Sequence, residues 1–415
     1  MTRSPPVCVL DISRLLGRVG RGPLTGIDRV ERAWLAALAA GDKTMRVAAR
    51  TAPGHVLVDR RGAAGLLSRI DGTSPWGAPD ALSRLRLRQP AARRRAMSDA
   101  RRLAVAGCWW GNGAAFHARH LPEGAVWLSF GHARLPVRLR SDVRLVVMVH
   151  DAIPLDHPEF ASLGLPERFA GWLADVGARA DLVVYTTAAA RASVERHFPA
   201  RVPPGMVAAL GIDRPASPPE PVLPPGLDPA RPVFVVLGTI EPRKNHAMLL
   251  DVWDRLEATL GPERSPQLAV VGRRGWRNAA VFARLDARRR GSGAVQEFAD
   301  LDNSGVASLL AASAGLLFPT FCEGFGLPAA EAAALGVPVV CSDLPVFREI
   351  LGDYPVYLHP LESYAWHDIV LRLSESAARQ RRPVLPDWSG HVDAVLDRIG
   401  VLSAERRRGE CGSAA

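Results

Sequence analysis

Between Pro215 and Pro225 six of eleven residues are proline, and no other stretch constrains the fold of this chain as much. Proline locks φ and supplies no N–H, so the segment can enter neither a helix interior nor a central strand. It predicts a stiff connection between two separately built halves. At 415 residues the chain also exceeds what one hydrophobic core usually serves. We therefore place a first domain at 1–214, the linker at 215–225, a second domain at 226–386, and a last helix with a basic tail at 387–415. Within that tail the helix is expected over Trp388–Gly400, with the residues after it disordered.

The second half carries the clearer pattern. Val233–Leu237, Gln267–Val271, Gly315–Phe318 and Val337–Cys341 are apolar runs too short for helices. Helical stretches lie between them at His246–Thr259, Asn303–Ala312 and Pro328–Leu335. Such alternation predicts an α/β domain with a parallel sheet covered on both faces. The first half repeats it more loosely, with strands at Val7–Ile12, Val126–Phe130, Leu145–Val149 and Leu182–Tyr185. Helices are expected there at Asp28–Ala40 and Ala188–His197, while residues 55–105, rich in Arg, Ala and Gly, read as an insertion.

Two segments concentrate residues suited to chemistry. In Phe318-Pro-Thr-Phe-Cys-Glu-Gly-Phe-Gly-Leu-Pro-Ala-Ala-Glu331 a buried strand ends, a glycine-containing loop follows, and a helix begins at Pro328. The free amides and dipole at such a helix start attract phosphate at the carboxyl edge of the sheet. Glu323 in the loop and Glu331 in the helix can both face one ligand. In Leu237-Gly-Thr-Ile-Glu-Pro-Arg-Lys-Asn-His246 another strand ends, with Gly238 and Thr239 allowing close backbone approach and Asn245 as the helix cap. Arg243 and Lys244 then stand at the open mouth of the same sheet, where a guanidinium and an ammonium suit a diphosphate. Lysine is rare in this arginine-rich chain, occurring only at Lys43 and Lys244.

These segments, with Val271-Gly-Arg-Arg-Gly-Trp276 and the stretch from Val295 to Leu310 between them, resemble the retaining glycosyltransferases of family 4. The likeness is dense over 230–360 and thin in the first half. There, Thr25-Gly-Ile-Asp-Arg-Val30 looks like the family's glycine loop, which gives Gly26 a place near the diphosphate, and Val149-His-Asp-Ala-Ile-Pro154 looks like its histidine-bearing loop. The resemblance implies the GT-B fold, two Rossmann-like lobes facing a central cleft. It also implies that Glu323 contacts the donor sugar, that Glu331 holds the ribose, and that Lys244 binds the diphosphate. Gly324, Phe325, Gly326 and Leu327 would form the donor loop with Gly238 and Thr239. Thr239 departs from the pattern, since many members have arginine there, and Arg243 would supply that charge. The implied activity is transfer of a hexose, mannose among the candidates, from a GDP- or UDP-sugar to a glycan or lipid-linked acceptor in bacterial surface polysaccharide synthesis. A sugar-nucleotide epimerase or phosphorylase would keep the fold and change the reaction. A non-catalytic assembly module would not need the glutamate pair with Lys244.

His150 follows an apolar strand, a place where a lone histidine is usually structural. Its position at the strand's carboxyl end, with Asp151 beside it to orient the ring, argues for a site role. His117, His120 and His132 have no comparable context. Asp300 and Asp302 spell a D-x-D, but the pair reads as the start of a helix at Asn303, so no metal and no other cofactor is expected. Gly111–Phe116 lacks the third glycine of a dinucleotide fingerprint.

Five scattered cysteines, no apolar run of spanning length and no signal-peptide core suit a cytoplasmic protein. The net charge of +10 is carried by arginines clustered at Arg84, Arg86, Arg88, Arg93, Arg94, Arg95, Arg101 and Arg102, and at Arg406–Arg408. A solvated face and peripheral contact with an anionic inner membrane both fit the first cluster. Nucleic acid is the weaker partner for it and is not expected, because no aromatic interleaving or zinc-finger spacing accompanies it; a nucleic-acid-binding module stays among the alternatives.

Overall fold

A computed structural model describes residues 6–41, 45–51, 54–86, 88–108, 113–132, 134–136, 138–213, 220–289, 293–375 and 379–412, with side chains described up to 404. Two sheets form. The first contains β1 (Cys8–Asp11), β2 (Met45–Arg50), β3 (His55–Val58) and β4 (Ala104–Cys108). It continues with β5 (Val126–Ser129), β6 (Arg144–Val149), β7 (Leu182–Tyr185) and β8 (Gly205–Val207). The order is β4-β3-β2-β1-β5-β6-β7-β8, parallel throughout except that β3 runs antiparallel to both β2 and β4.

The second sheet contains β9 (Val233–Leu237), β10 (Gln267–Val271), β11 (Val295–Phe298), β12 (Gly315–Phe318), β13 (Val339–Ser342) and β14 (Val356–Leu358). Its order is β11-β10-β9-β12-β13-β14, and every pairing is parallel. Strands buried on both faces appear as continuous apolar runs, which is why Val233–Leu237 and Gly315–Phe318 match the expected limits.

Residues 55–105 are not an insertion. They supply β3 and β4, the antiparallel edge of the first sheet, and the helix Ala91–Arg102 that packs below it. Two arginines of the expected basic cluster are consumed inside this region: Arg101 is buried against Asp80 at 2.6 Å, and Arg102 pairs with Asp99 at 2.6 Å. Of the proline-rich segment, 215–219 lie outside the described residues, and 220–225 form neither helix nor strand. The last helix does not stop at Gly400. It runs Trp388–Gly412, so the tail expected to be disordered is helical up to that point; Arg406–Arg408 lie there outside the described side chains.

This helix returns to the first half. Trp388 donates to Asp213 at 2.9 Å, and Ile212 donates its amide to Pro386 at 3.0 Å. Deeper in, Trp34 donates to His391 Nε2 at 3.1 Å, so His391 carries its proton on Nδ1 and donates it to the Ala209 carbonyl at 3.0 Å. Each sheet buries its outer face in its own apolar cluster, whereas the inner-face cluster continues from one half to the other. Among the described residues no helix is long and apolar enough to cross a membrane.

Candidate active site

The loop after β9 turns through a single 3₁₀ turn, Pro242–Lys244, and brings Arg243 and Lys244 against the loop after β12. Gly238 makes this possible: its φ of +137° is open to glycine, and a Cβ there would meet the Lys244 stem at 3.3 Å. Lys244 is not at an open mouth, as its place in the sequence suggests. Only 7% of its side chain is exposed; the ammonium lies 4.2 Å from the centre of the Phe318 ring and pairs with Glu323. Arg243 pairs with the same carboxylate at 2.6 Å and with Glu241 at 2.6 Å on its other side.

All contacts to Glu323 fall on one oxygen. Oε1 accepts from Arg243, from Lys244 and, at 3.4 Å, from Thr320, while Oε2 accepts nothing among the described residues. Burial by itself would raise this carboxyl, but Arg243 and Lys244 outweigh it and hold Glu323 below the ordinary glutamate range. Burial also pulls Lys244 below its usual value, opposed by Glu323.

Asp151 belongs to this centre, which its sequence position does not reveal. Burial lifts its pKa to about 6 against the pull of Arg243. It does not orient His150; its carboxylate accepts the Ile153 amide at 3.1 Å. The His150 ring instead donates Nε2–H to the Phe130 carbonyl at 2.7 Å, and its amide donates to His132 Nε2 at 2.9 Å. His132, which has no motif to mark it, is therefore the partner of His150. Burial lowers His150 to about 4, so the ring is neutral and cannot act as a general acid near pH 7.

Gly324 joins the halves at close range. A Cβ there would sit 2.7 Å from the His150 carbonyl oxygen, and its own carbonyl accepts from Thr186 at 3.0 Å. Gly326 caps the helix Leu327–Ala334 with φ +87°. The side chains of Phe325 and Leu327 are core residues, so only their backbone can face a ligand. Among the described residues the amides of Gly324, Phe325 and Gly326 have no protein acceptor. Thr239 lies half-buried beside Gly275.

A second centre forms across the halves. Thr25 caps the helix Gly26–Ala40, donating its amide to Asp28 at 2.9 Å; Arg14 and Arg18 also bind Asp28, at 3.2 and 3.1 Å. Gly26 faces Leu327, which a Cβ would meet at 3.5 Å. One turn on, Arg29 reaches across to Glu331 and also holds Asp213 at 2.8 Å. Burial raises the Glu331 carboxyl, with Arg29 opposing. This pair borders a cavity of about 940 Å³ between the halves, walled by Arg18, Trp76, Asn303 and Leu310. Asp302 caps the helix Asn303–Ala312 through the Gly305 amide at 2.7 Å, and Asp300 pairs with Arg273 at 2.6 Å. Asn245 has the cap position of its helix, but its amide side chain donates to Pro360. Among the described residues no three His, Cys, Asp or Glu side chains gather as a metal site. Gly111 and Asn112 lie outside the described residues.

Residues 224–382, the stretch that carries both glutamates and both cations, match the family model of the glycosyl transferases group 1. The likeness to that family lies in the second half of the chain. The chain is 31% identical over 224 residues to the serotype-specific mannosyltransferase WbdA of Escherichia coli, across 51% of its own length and 27% of that protein's. It thus spans about a quarter of the curated relatives of that name. The sucrose-phosphate synthase of Thermosynechococcus elongatus superposes with a TM-score of 0.59 at 16% identity, over 99% of this chain and 100% of that one. WaaG, a glycosyltransferase involved in lipopolysaccharide biosynthesis, gives 0.55 at 15%, over 96% and 98%. The architecture is the two-lobed GT-B fold.

Proposed function

We propose that the chain transfers a hexose from a GDP- or UDP-sugar to a hydroxyl of a glycan or lipid-linked acceptor, with retention, in the assembly of a bacterial surface polysaccharide. The names of its curated relatives, all mannosyltransferases, favour mannose. The observation that carries the reading is the buried Arg243–Glu323–Lys244 centre beside three loop amides that have no acceptor among the described residues. Breaking a sugar–phosphate bond builds negative charge on the departing diphosphate. Arg243, Lys244 and the amides of Gly324–Gly326 meet that charge without reorganising, which is where electrostatic catalysis is strongest. Glu323 keeps both cations charged and has Oε2 left over for a sugar hydroxyl. Glu331 takes the ribose in exchange for Arg29. His150, neutral and tied to a carbonyl, positions the sugar and moves no proton. No metal enters this scheme. The acceptor side is peripheral to the inner membrane face, held by Arg84, Arg86 and Arg88 around Leu85, which is 83% exposed.

Thermal-shift screening against UDP, GDP and their sugar conjugates tests the reading first, since a ligand at 100 times its Kd stabilises by about 2.7 kcal/mol. Product analysis then decides it: a new glycoside of retained configuration is expected. Epimerised donor, or phosphorolysis of a glycan, with no new glycoside would overturn the transferase.

A further inference from the structure

The first sheet holds a smaller cavity, about 160 Å³, that the donor site does not use. It lies at the carboxyl ends of β1 and β2 and against β5, on the edge of the sheet that also carries His150. Asp11, Arg50, His55, His117, Trp127 and Arg134 line it. Two of these are buried with polar atoms left over. His117 and Trp127 are each 2% exposed, and neither the His117 Nδ1 nor the Trp127 Nε1–H has a hydrogen-bond partner among the described residues. Buried polar atoms are nearly always paired, so two orphans on residues that line one cavity call for a ligand or ordered water. The rings stand 4.8 Å apart edge to face, with His55 5.2 Å from His117 on the other side.

The charge around them is unbalanced. Neither the Arg50 nor the Arg134 guanidinium makes an ion pair within 4 Å among the described residues; Arg50 feels only the charge of Asp11 on the same wall, and Arg134 is exposed. The one acid present, Asp11, turns one oxygen to Ser13, accepting its amide at 2.9 Å and its hydroxyl at 2.5 Å. Burial, helped by His55, lowers His117 to about 4, so it adds no charge. Two guanidiniums, an indole N–H and an imidazole nitrogen make a site for an oxyanion. At roughly 30 Å³ per water the cavity has room for about five waters, which is a single sugar ring or head group and not a nucleotide.

We propose that this cavity binds an acidic sugar group, a carboxylate or a phosphate ester, carried by the acceptor. That the ligand is the acceptor rests on the transferase reading; that the cavity selects an anion does not.

The test is calorimetric or NMR titration of the full chain, without donor, using glucuronate, glucose 6-phosphate and neutral glucose. Glucuronate or glucose 6-phosphate should bind at least about tenfold more tightly than glucose, and the stronger of the two identifies the acid. Arg50→Gln and Arg134→Gln should each weaken it by roughly tenfold, the loss of one charge-assisted contact. Trp127→Phe, which keeps the ring packing, should weaken it several-fold. All three variants should keep the parent's thermal shift with UDP or GDP, which shows that they fold. Equal binding of all three sugars, no binding of any, or acid binding that survives Arg50→Gln combined with Arg134→Gln would each overturn the proposal and leave the cavity to water. Such a failure with a normal nucleotide shift leaves the transferase untouched. Acid binding without transfer from any nucleotide sugar sinks the transferase and keeps the cavity.

Discussion

Glu323 and Glu331 belong to one loop and helix, yet they sit in opposite settings. Glu323 is bound by cations of its own lobe, so its ion pairs form whenever that lobe is folded. Glu331 is bound by Arg29 from the other lobe, so its centre exists only while the lobes face each other. Burial acts on both carboxyls. It is overcome at Glu323, where two cations converge, and it prevails at Glu331, where one does. A site can therefore be half built by folding and half built by closure, and sequence spacing does not tell the halves apart.

The sharpest way to break this contrast is at Glu323. Glu323→Gln leaves Lys244 and Arg243 buried without their shared anion, and removing one partner of a buried pair costs about 3–5 kcal/mol. The melting temperature should fall by several degrees, and transfer by at least about a hundredfold. Lys244→Ala should also lower the melting temperature, contrary to the expectation for a residue in an open cleft. Glu323→Gln combined with Lys244→Met should recover stability and not activity; recovery of neither would show that the pair is not the anchor described.

Next in size is Glu331→Ala. The loss of a charged contact to a ligand that is bound throughout should weaken free UDP or GDP by roughly ten- to a hundredfold. The melting temperature without ligand should change less than for Glu323→Gln, because Arg29 keeps Asp213 as a carboxylate partner. Arg29→Ala should lower the melting temperature at least as much and open the lobes, seen as a larger radius of gyration by small-angle scattering. Unchanged scattering would make Glu331 a centre of one lobe, like Glu323.

What the sequence could disclose follows the same division. Lys244, Arg243 and Glu323 come from two strand ends of one parallel sheet, and buried parallel strands announce themselves as apolar runs. Asp151 and Arg29 reach the site from the other lobe, and no local pattern encodes a contact made across a cleft. β3 and β4 were hidden for a different reason. They form a sheet edge, and β4, Ala-Val-Ala-Gly-Cys, has exposed positions alternating with half-buried ones, so neither an apolar run nor a strong β propensity marks it. The depth of Lys244 was equally unreadable, because a lysine beside a glycine-rich loop looks solvent-facing until the Phe318 ring and Glu323 are seen to cover it.

A smaller effect should come from Asp151. An acid held near pKa 6, above its ordinary 3.8, is favoured in its protonated form by folding, so ionising it costs stability. That cost appears as pH rises from about 4 to about 6 and stays above it. Asp151→Asn should thus melt higher than the parent at pH 7.5, with the gap closing toward pH 4. A gap that widens on acidification would reverse the sign and remove Asp151 from the cationic centre. The smallest expected effect is none: turnover should survive EDTA, and loss restored by manganese or magnesium would bring a metal into the mechanism.

The return of the last helix has a mechanical meaning. The chain passes between lobes once after Ile212 and again before Trp388, and the two passages are bonded side by side through Ile212 and Pro386. A body held by one tether can swing, twist and slide; one held at two adjacent points is left mainly with rotation about the line joining them. Opening and closing then share a single angular coordinate, so any residue that biases that angle, however far from the cleft, sets the distance between Arg29 and Glu331.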